Sequence, residues 1–306
     1  MKHKRTKSNG TKRHMLLLPV FLVAVFALIV TVPTASAGHR HHRNEVVELD
    51  ECEVFIEYNS TYGDFGVHFF WDGEPWKWMT VWNENLWPVL NVGTRDNVRA
   101  QGLTEGFFES AEPSLLDLSF HEFLERFPED EYRFRGRTLN WERLVCETDF
   151  THVIPCPPEI DVAWNSDTRT LSIEWEPVET VVDPEVEIPE NGENGENGEN
   201  GDIDISPTCT DDTEPDIVGY EAVFELVVLV DDEEQVYKET TTLPAGATMV
   251  TASPEFTRLA IRAESAAISG AIEGAELKVE VIAKEESGNS TITEEGVFEY
   301  PEEDGD

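Results

Sequence analysis

Thr170-Leu171-Ser172-Ile173-Glu174-Trp175 decides the fold class of this chain. Leu171, Ile173 and Trp175 fall on one side of an extended backbone and Ser172 and Glu174 on the other, as a half-buried strand requires. Pro177 has no N–H to give to a ladder and closes the run. Similar short runs extend outward in both directions. Ile160, Val162 and Trp164 alternate before it; residues 217–224, 235–238, 248–251, 277–283 and 296–300 follow it. Seven such runs, mostly separated by Pro, Gly, Asn or Asp, predict a β-sandwich over residues 153–300 and an all-β fold class.

Several of these runs carry a resemblance. Pro157-Pro158-Glu159-Ile160, Leu171-Ser172-Ile173-Glu174-Trp175-Glu176-Pro177, Ile217-Val218-Gly219-Tyr220, and Val279-Glu280-Val281-Ile282-Ala283 with Gly288-Asn289 resemble strands A, B, C and F, and the turn after F, of fibronectin type III domains. The resemblance implies an immunoglobulin-like sandwich with Trp175 as the core tryptophan of strand B and Tyr220 as the strand C aromatic. Leu277 departs from the pattern: it stands where the family has a corner tyrosine. The family is a scaffold with many roles, so it implies binding or spacing and names no ligand.

The N-terminus sets the compartment. Residues 1–13 hold six Lys and Arg and no acid, residues 16–32 are apolar apart from Pro19 and Thr31, and Ala35-Ser36-Ala37 supplies small residues at the spacing signal peptidase needs. We read 1–37 as a cleaved signal peptide, with a retained N-terminal anchor as the alternative. The expected location is extracytoplasmic, secreted or periplasmic.

The chain has 63 Asp and Glu against 22 Lys and Arg, a formal net charge of −41. Without the six basic residues of the signal, 22 − 6 = 16 basic residues face 63 acidic ones, or −47. Such a surface repels nucleic acid and anionic membranes, so neither a nucleic-acid partner nor stable membrane insertion after cleavage is expected. Adaptation to salt is the preferred reading of this charge, since screening removes the self-repulsion. Calcium binding by clustered carboxylates is the alternative.

Four cysteines in an exported chain are expected to pair. Three connectivities are open. Cys52 with Cys146 and Cys156 with Cys209 is favoured, because each bond then stays inside its own domain.

Residues 38–48 read as a disordered leader. Its His39, His41 and His42 could capture a metal weakly, but a polar leader is the preferred reading. Residues 49–152 read as a β-rich N-terminal domain with one short helix. Cys52, Val54, Ile56 and Tyr58 alternate with Glu51, Glu53, Phe55 and Glu57, giving one buried and one mostly acidic face. Residues 66–72 and 76–82 predict a hairpin around Asp72-Gly73-Glu74-Pro75. Leu90-Asn91-Val92 predicts a further strand. Phe120, Phe123, Leu124 and Phe127 predict a short helix with Ser119 as its N-cap and Pro128 as its stop. Tyr132, Phe134 and Gly136 alternate with Arg133, Arg135 and Arg137, a strand with a basic outer face. This domain resembles the N-terminal part of uncharacterised bacterial secreted proteins that end in a fibronectin type III domain, in Gln101-Gly102-Leu103-Thr104-Glu105, in residues 107–113 and in residues 123–128. That resemblance implies an architecture and no activity.

Three features of this domain could carry chemistry. Five of the eight Trp lie between Trp71 and Trp87, and Trp76, Trp78 and Trp82 could stack on sugar rings, with core packing as the preferred reading. The arginine stripe could bind an anion, with pairing to Glu53 and Glu57 preferred. Asp64, His68 and Asp72 could be drawn as a metal or acid/base set, with a solvated hairpin edge preferred.

Residues 183–216 hold 13 acids and no Lys or Arg, around a repeated Asn-Gly-Glu, and predict a disordered acidic insert within the sandwich. Only weak, salt-screened calcium association is expected of it, since it lacks a rigid oxygen shell. Residues 301–306 read as an acidic tail.

No Gly-x-Ser-x-Gly, His-Glu-x-x-His, Gly-x-Gly-x-x-Gly or phosphate-loop motif occurs. No catalytic residue, cofactor or metal site is expected. The functional expectation is an exported, non-enzymatic binding or structural module, engaged in protein–protein interaction or spacing at the cell envelope. The alternative is a carbohydrate-binding module using the tryptophan cluster.

Overall fold

The computed structural model describes residues 45–115, 117–183, 208–211, 213–231 and 233–300. The expected signal peptide, the leader's histidines, the Asn-Gly-Glu repeat and the acidic tail lie outside the described residues. Val46–Glu48, expected within the disordered leader 38–48, form a strand instead, paired in parallel with residues 143–145. In chain order come β1 (Val46–Glu48), β2 (Glu51–Asn59), β3 (Asp64–Asp72), β4 (Trp76–Trp82), β5 (Pro88–Gly93), α1 (Asp96–Gln101), β6 (Gly106–Glu109), α2 (Phe120–Arg126), β7 (Asp130–Thr138) and β8 (Arg143–Phe150). Then follow β9 (Ile160–Asn165), β10 (Thr170–Trp175), β11 (Val181–Val182), β12 (Cys209–Thr210), β13 (Ile217–Val230), β14 (Glu233–Pro244), β15 (Met249–Thr251), α3 (Pro254–Ile268), β16 (Gly274–Glu285) and β17 (Ser290–Tyr300). The fold is mostly β.

The seven runs read from the C-terminal half become β9, β10, β13, β14, β15, β16 and β17. Three of them form a sheet in the order β15-β10-β9; the other four are adjacent in the order β14-β13-β16-β17. The alternation of β10 has the expected consequence: Leu171, Ile173 and Trp175 are buried. Trp175 meets the Tyr220 ring of β13, centroids 5.4 Å apart, and the Val178 N–H donates to the Tyr220 hydroxyl oxygen at 3.0 Å. The apolar Leu277 is fully buried at its position on β16.

The β14-β13-β16-β17 sheet does not end there. β17 pairs in parallel with β2 through Ser290–Glu57, Thr291–Tyr58 and Ile292–Asn59, so a seven-stranded sheet runs β14-β13-β16-β17-β2-β3-β6. A second sheet, β1-β8-β7-β4-β5, contributes Met79, Val81, Phe134 and Leu144 to the same buried cluster as Val54, Ile56 and Trp71 of β2 and β3. The Cys52–Cys146 disulfide joins β2 to β8 between these two sheets, and Cys156–Cys209 ties β12 to the chain before β9. Helix α2 adds Phe120 and Phe123 against Phe65. Its Ser119 cap accepts from the Glu122 N–H at 3.2 Å, as its position before an apolar 3.6-period run implies.

Three further expectations are corrected. Residues 66–72 and 76–82 do not form a hairpin: β3 lies in the seven-stranded sheet and β4 in the five-stranded one. Asp72-Gly73-Glu74-Pro75 is a crossover between layers, because Trp71 and Trp76 are both buried and pack on each other with centroids 5.8 Å apart. The helices exceed the single one expected: α1 and α3 are additional. In α3, Ser253 accepts from the Phe256 N–H at 3.1 Å, Pro254 opens the helix, and Phe256, Ala260 and Ala263 are buried. Finally, the sequence predicts disorder throughout 183–216, but Cys209–Thr210 within that stretch pairs antiparallel with Val181–Val182.

Candidate functional site

Two places on the N-terminal strands bring together side chains capable of recognition or chemistry. The first is the outer face of the five-stranded sheet. A bulge between Trp76 and Trp78 resets the strand parity of β4. Trp76 therefore faces the core, and Trp78 and Trp82 lie on the outer face with Met79 and Val81 buried behind them; Thr80 shares the side of Trp78 and Trp82 but is only 3% exposed. This corrects the grouping of Trp76 with the other two: it is 1% exposed and cannot meet a ligand. Trp78 and Trp82 are half-buried, four residues apart on one strand, which spans roughly 13 Å. Between them the Asn91 amide donates to the Thr80 hydroxyl at 2.7 Å.

The arginine stripe lies on the next strand of the same face. Trp78, Thr80 and Trp82 stand opposite Arg137, Arg135 and Arg133 of β7. The stripe does not pair with Glu53 and Glu57, as expected from the sequence, because β2 belongs to the other sheet. Arg133 meets Glu131 at 2.6 Å, and Arg135 pairs with Glu147 on β8. Arg137 donates to the Trp141 carbonyl at 2.9 Å. A shallow depression of about 370 Å³ opens beside Arg135, Arg143 and Glu147. The β4–β5 connection ends this face with Leu86 and Trp87, and Trp87 is 71% exposed.

The second place is on the outer face of the seven-stranded sheet. Phe55 of β2 stands opposite His68 of β3, and Glu57 opposite Gly66. Glu112, just past β6, lies back over β3. A Cβ on Gly66 would sit 3.2 Å from Glu112 Cγ, so the bare glycine is what lets this side chain approach. One ligand-capable atom each from Glu57, His68 and Glu112 falls within 4.8 Å of the others.

His68 is not on a solvated edge, as expected from the sequence. It is 3% exposed, stacked on Phe55 at 4.9 Å and flanked by Phe107 at 5.4 Å. Neither ring nitrogen has a hydrogen-bond partner. Nor are its neighbours the expected Asp64 and Asp72. Asp64 contributes only its charge near Glu112, and Asp72, at the far end of β3, stands opposite Glu51 and accepts from the Gly73 N–H.

The electrostatics of this cluster follow from burial and like charge. Burial, then the charges of Glu112 and Glu109, push Glu57 up to about 8. Burial, then Glu109 and Asp64, push Glu112 up to about 7. Burial holds His68 down at about 4, so its imidazole is neutral at pH 7.

No family model matches the sequence, and no curated protein matches it. Among solved structures, fibronectin domains FN1 to FN3 of chicken CNTN1 align with TM-score 0.30 and 8% identity, over 83% of this chain and 68% of that one. A bacterial ice-binding adhesin, described for its retention at a host cell surface, aligns with TM-score 0.18 and 10% identity, over 83% of this chain and 65% of that one. Both are distant structural likenesses to a β-rich fold. No helix among the described residues is long and apolar enough to cross a membrane.

Proposed function

We propose that this protein is an exported, non-enzymatic binding module, acting outside the cytoplasm at the cell envelope, with a fibronectin type III-like sandwich as its C-terminal half. The sandwich reading is supported by the order β15-β10-β9 beside β14-β13-β16-β17, and by the Trp175–Tyr220 contact at the positions where the resemblance puts core aromatics. The compartment is supported by the two disulfides.

The observation that carries the binding reading is the outer face of the five-stranded sheet. In a chain of charge −41, it sets two half-buried tryptophans beside a row of three arginines on a β surface. Proteins use such aromatic–arginine surfaces as contact centres, because each side chain covers much area and keeps a polar handle. The spacing of Trp78 and Trp82, with the Asn91–Thr80 hydrogen bond between them, favours a glycan as the ligand. Flat apolar rings would take sugar faces, and the exposed Asn91 amide, held in place by the buried Thr80 hydroxyl, would take hydroxyls.

The test is a glycan array run with affinity capture from cell-envelope extract, comparing wild type with a Trp78→Ala, Trp82→Ala double variant. Retention of ligand by wild type and its loss in the variant supports the face as the binding site. Equal retention by both contradicts it. Turnover of any captured glycan or peptide contradicts the non-enzymatic reading.

A further inference from the structure

We propose that Glu57, His68 and Glu112 form a binding site for one divalent transition-metal ion of the zinc class. Three observations made independently of any fold analogy converge on it. The donor atoms of the three side chains lie within 4.8 Å of one another, a separation that a small closing movement of two flexible glutamates brings to metal-ligand distances. The imidazole at the centre is 3% exposed, and both its nitrogens lack a hydrogen-bond partner. A buried polar group left unpaired costs about 1–3 kcal/mol, so an imidazole in this state lacks a partner that a cation would supply. The backbone is also shaped for the third ligand: Gly66 leaves open the space that Glu112 Cγ and Oε1 occupy, at 3.2 and 3.6 Å from where a Cβ would stand.

The chemistry of the donors selects the class of ion. One imidazole nitrogen and two carboxylates suit zinc and its neighbours in the first transition row. Calcium and magnesium take shells of oxygen alone, which His68 does not offer. The ring is oriented by apolar contacts, Phe55 on one side and Phe107 on the other. Three protein ligands leave a fourth position of a tetrahedral ion open, on the half-buried side where Glu57 and Glu112 reach solvent. The site is separate from the tryptophan–arginine face, which belongs to the other sheet, so either reading can fail without the other.

The experiment is calorimetric titration of the purified, metal-stripped mature protein with Zn²⁺, repeated with Ca²⁺, with Co²⁺ as an optical probe of coordination. Wild type is expected to bind one Zn²⁺ saturably, to show the d–d absorption of bound Co²⁺, and to give no comparable Ca²⁺ isotherm. Glu112→Gln alters a side chain outside the regular strands and is expected to keep the thermal midpoint of the metal-free protein. It should weaken Zn²⁺ by about 100-fold or more, beyond the ~10–100-fold usual for residues that only orient ligands. His68→Gln should abolish the Co²⁺ spectrum. A triple His39→Ala, His41→Ala, His42→Ala variant should bind as wild type does. The proposal is overturned if folded wild type takes up no stoichiometric Zn²⁺, if Glu112→Gln and His68→Gln bind it unchanged, or if the triple leader variant loses it.

Discussion

The side-chain oxygen of Asn289 accepts the backbone N–H of Ile56 at 2.7 Å, across 233 residues of sequence. The same fully buried amide donates to the carbonyls of Thr151 and Val153, at 3.0 and 2.9 Å. One side chain thus satisfies groups on β2 and on the segment leading out of β8, at the point where β17 joins β2. Asn289→Ala would leave a buried N–H and two part-buried carbonyls without these hydrogen bonds. The expected result is a loss of about 2–4 kcal/mol in urea unfolding, at about 1–3 kcal/mol for each group left unpaired with partial relief by water. An exposed neighbour of the same turn, Glu286→Ala, serves for comparison, and a loss there as large as at Asn289 would remove the argument.

The Cys52–Cys146 bond spans 94 residues and connects the two sheets of the N-terminal strands. In the chain-entropy account, a loop of that length stabilises by about 4–5 kcal/mol. A Cys52→Ala, Cys146→Ala variant is therefore expected to unfold at markedly lower denaturant, with a steeper transition because the unlinked unfolded chain exposes more surface. Reduced, alkylated protein that unfolds at the same midpoint as the oxidised form would contradict this.

Stability is expected to fall as pH rises through the weakly acidic range. Burial, then the charge of Glu294, raises Glu280 on β16 to about 7, despite opposing help from Lys238 and Lys278. Between the ordinary glutamate value near 4.5 and about 7, the folded state holds a proton that the unfolded state has released. The unfolding free energy therefore decreases with pH across that window and levels off above it. Glu57 and Glu112, in the metal-free protein, act in the same direction. Glu280→Gln should flatten the profile and raise stability at pH 8 relative to wild type. Unfolding midpoints from pH 4.5 to 8 check this; a wild-type midpoint that rises with pH would contradict it.

Strand alternation was legible wherever one face is buried. Leu171, Ile173 and Trp175, and Cys52, Val54, Ile56 and Tyr58, point inward as their period of two requires. The cap at Ser119 was legible too, because an apolar helical run follows it directly. Helix α3 was harder, since its buried face is mostly alanine; its signal was Ser253-Pro254-Glu255, a cap, a proline in the first turn and an acid. The β3–β4 crossover mimicked a hairpin because turn chemistry says nothing about which layer a strand enters. Only the burial of both Trp71 and Trp76 distinguishes the two.

The His68 cluster was the least legible feature. Its members are 11 and 44 residues apart in sequence, and local spacing brings none of them together. It depends on the β2–β3 register, which puts Glu57 beside Gly66, and on a glycine whose missing side chain makes room for Glu112. The tryptophan cluster was legible as a group, but the bulge after Trp76 divides it into a buried and an outward-facing part.

The most direct test of the central claim is calorimetry of the wild-type protein, Trp78→Ala and Trp82→Ala, each titrated with neutral and uronic-acid oligosaccharides. The account predicts saturable binding by wild type to at least one class. Each substitution should weaken it about tenfold or more, from a stacked contact worth about 0.5–1.5 kcal/mol and the apolar area lost with it. Wild-type binding that survives both substitutions unchanged, or no binding to either class, would contradict the assignment of this face to glycan recognition.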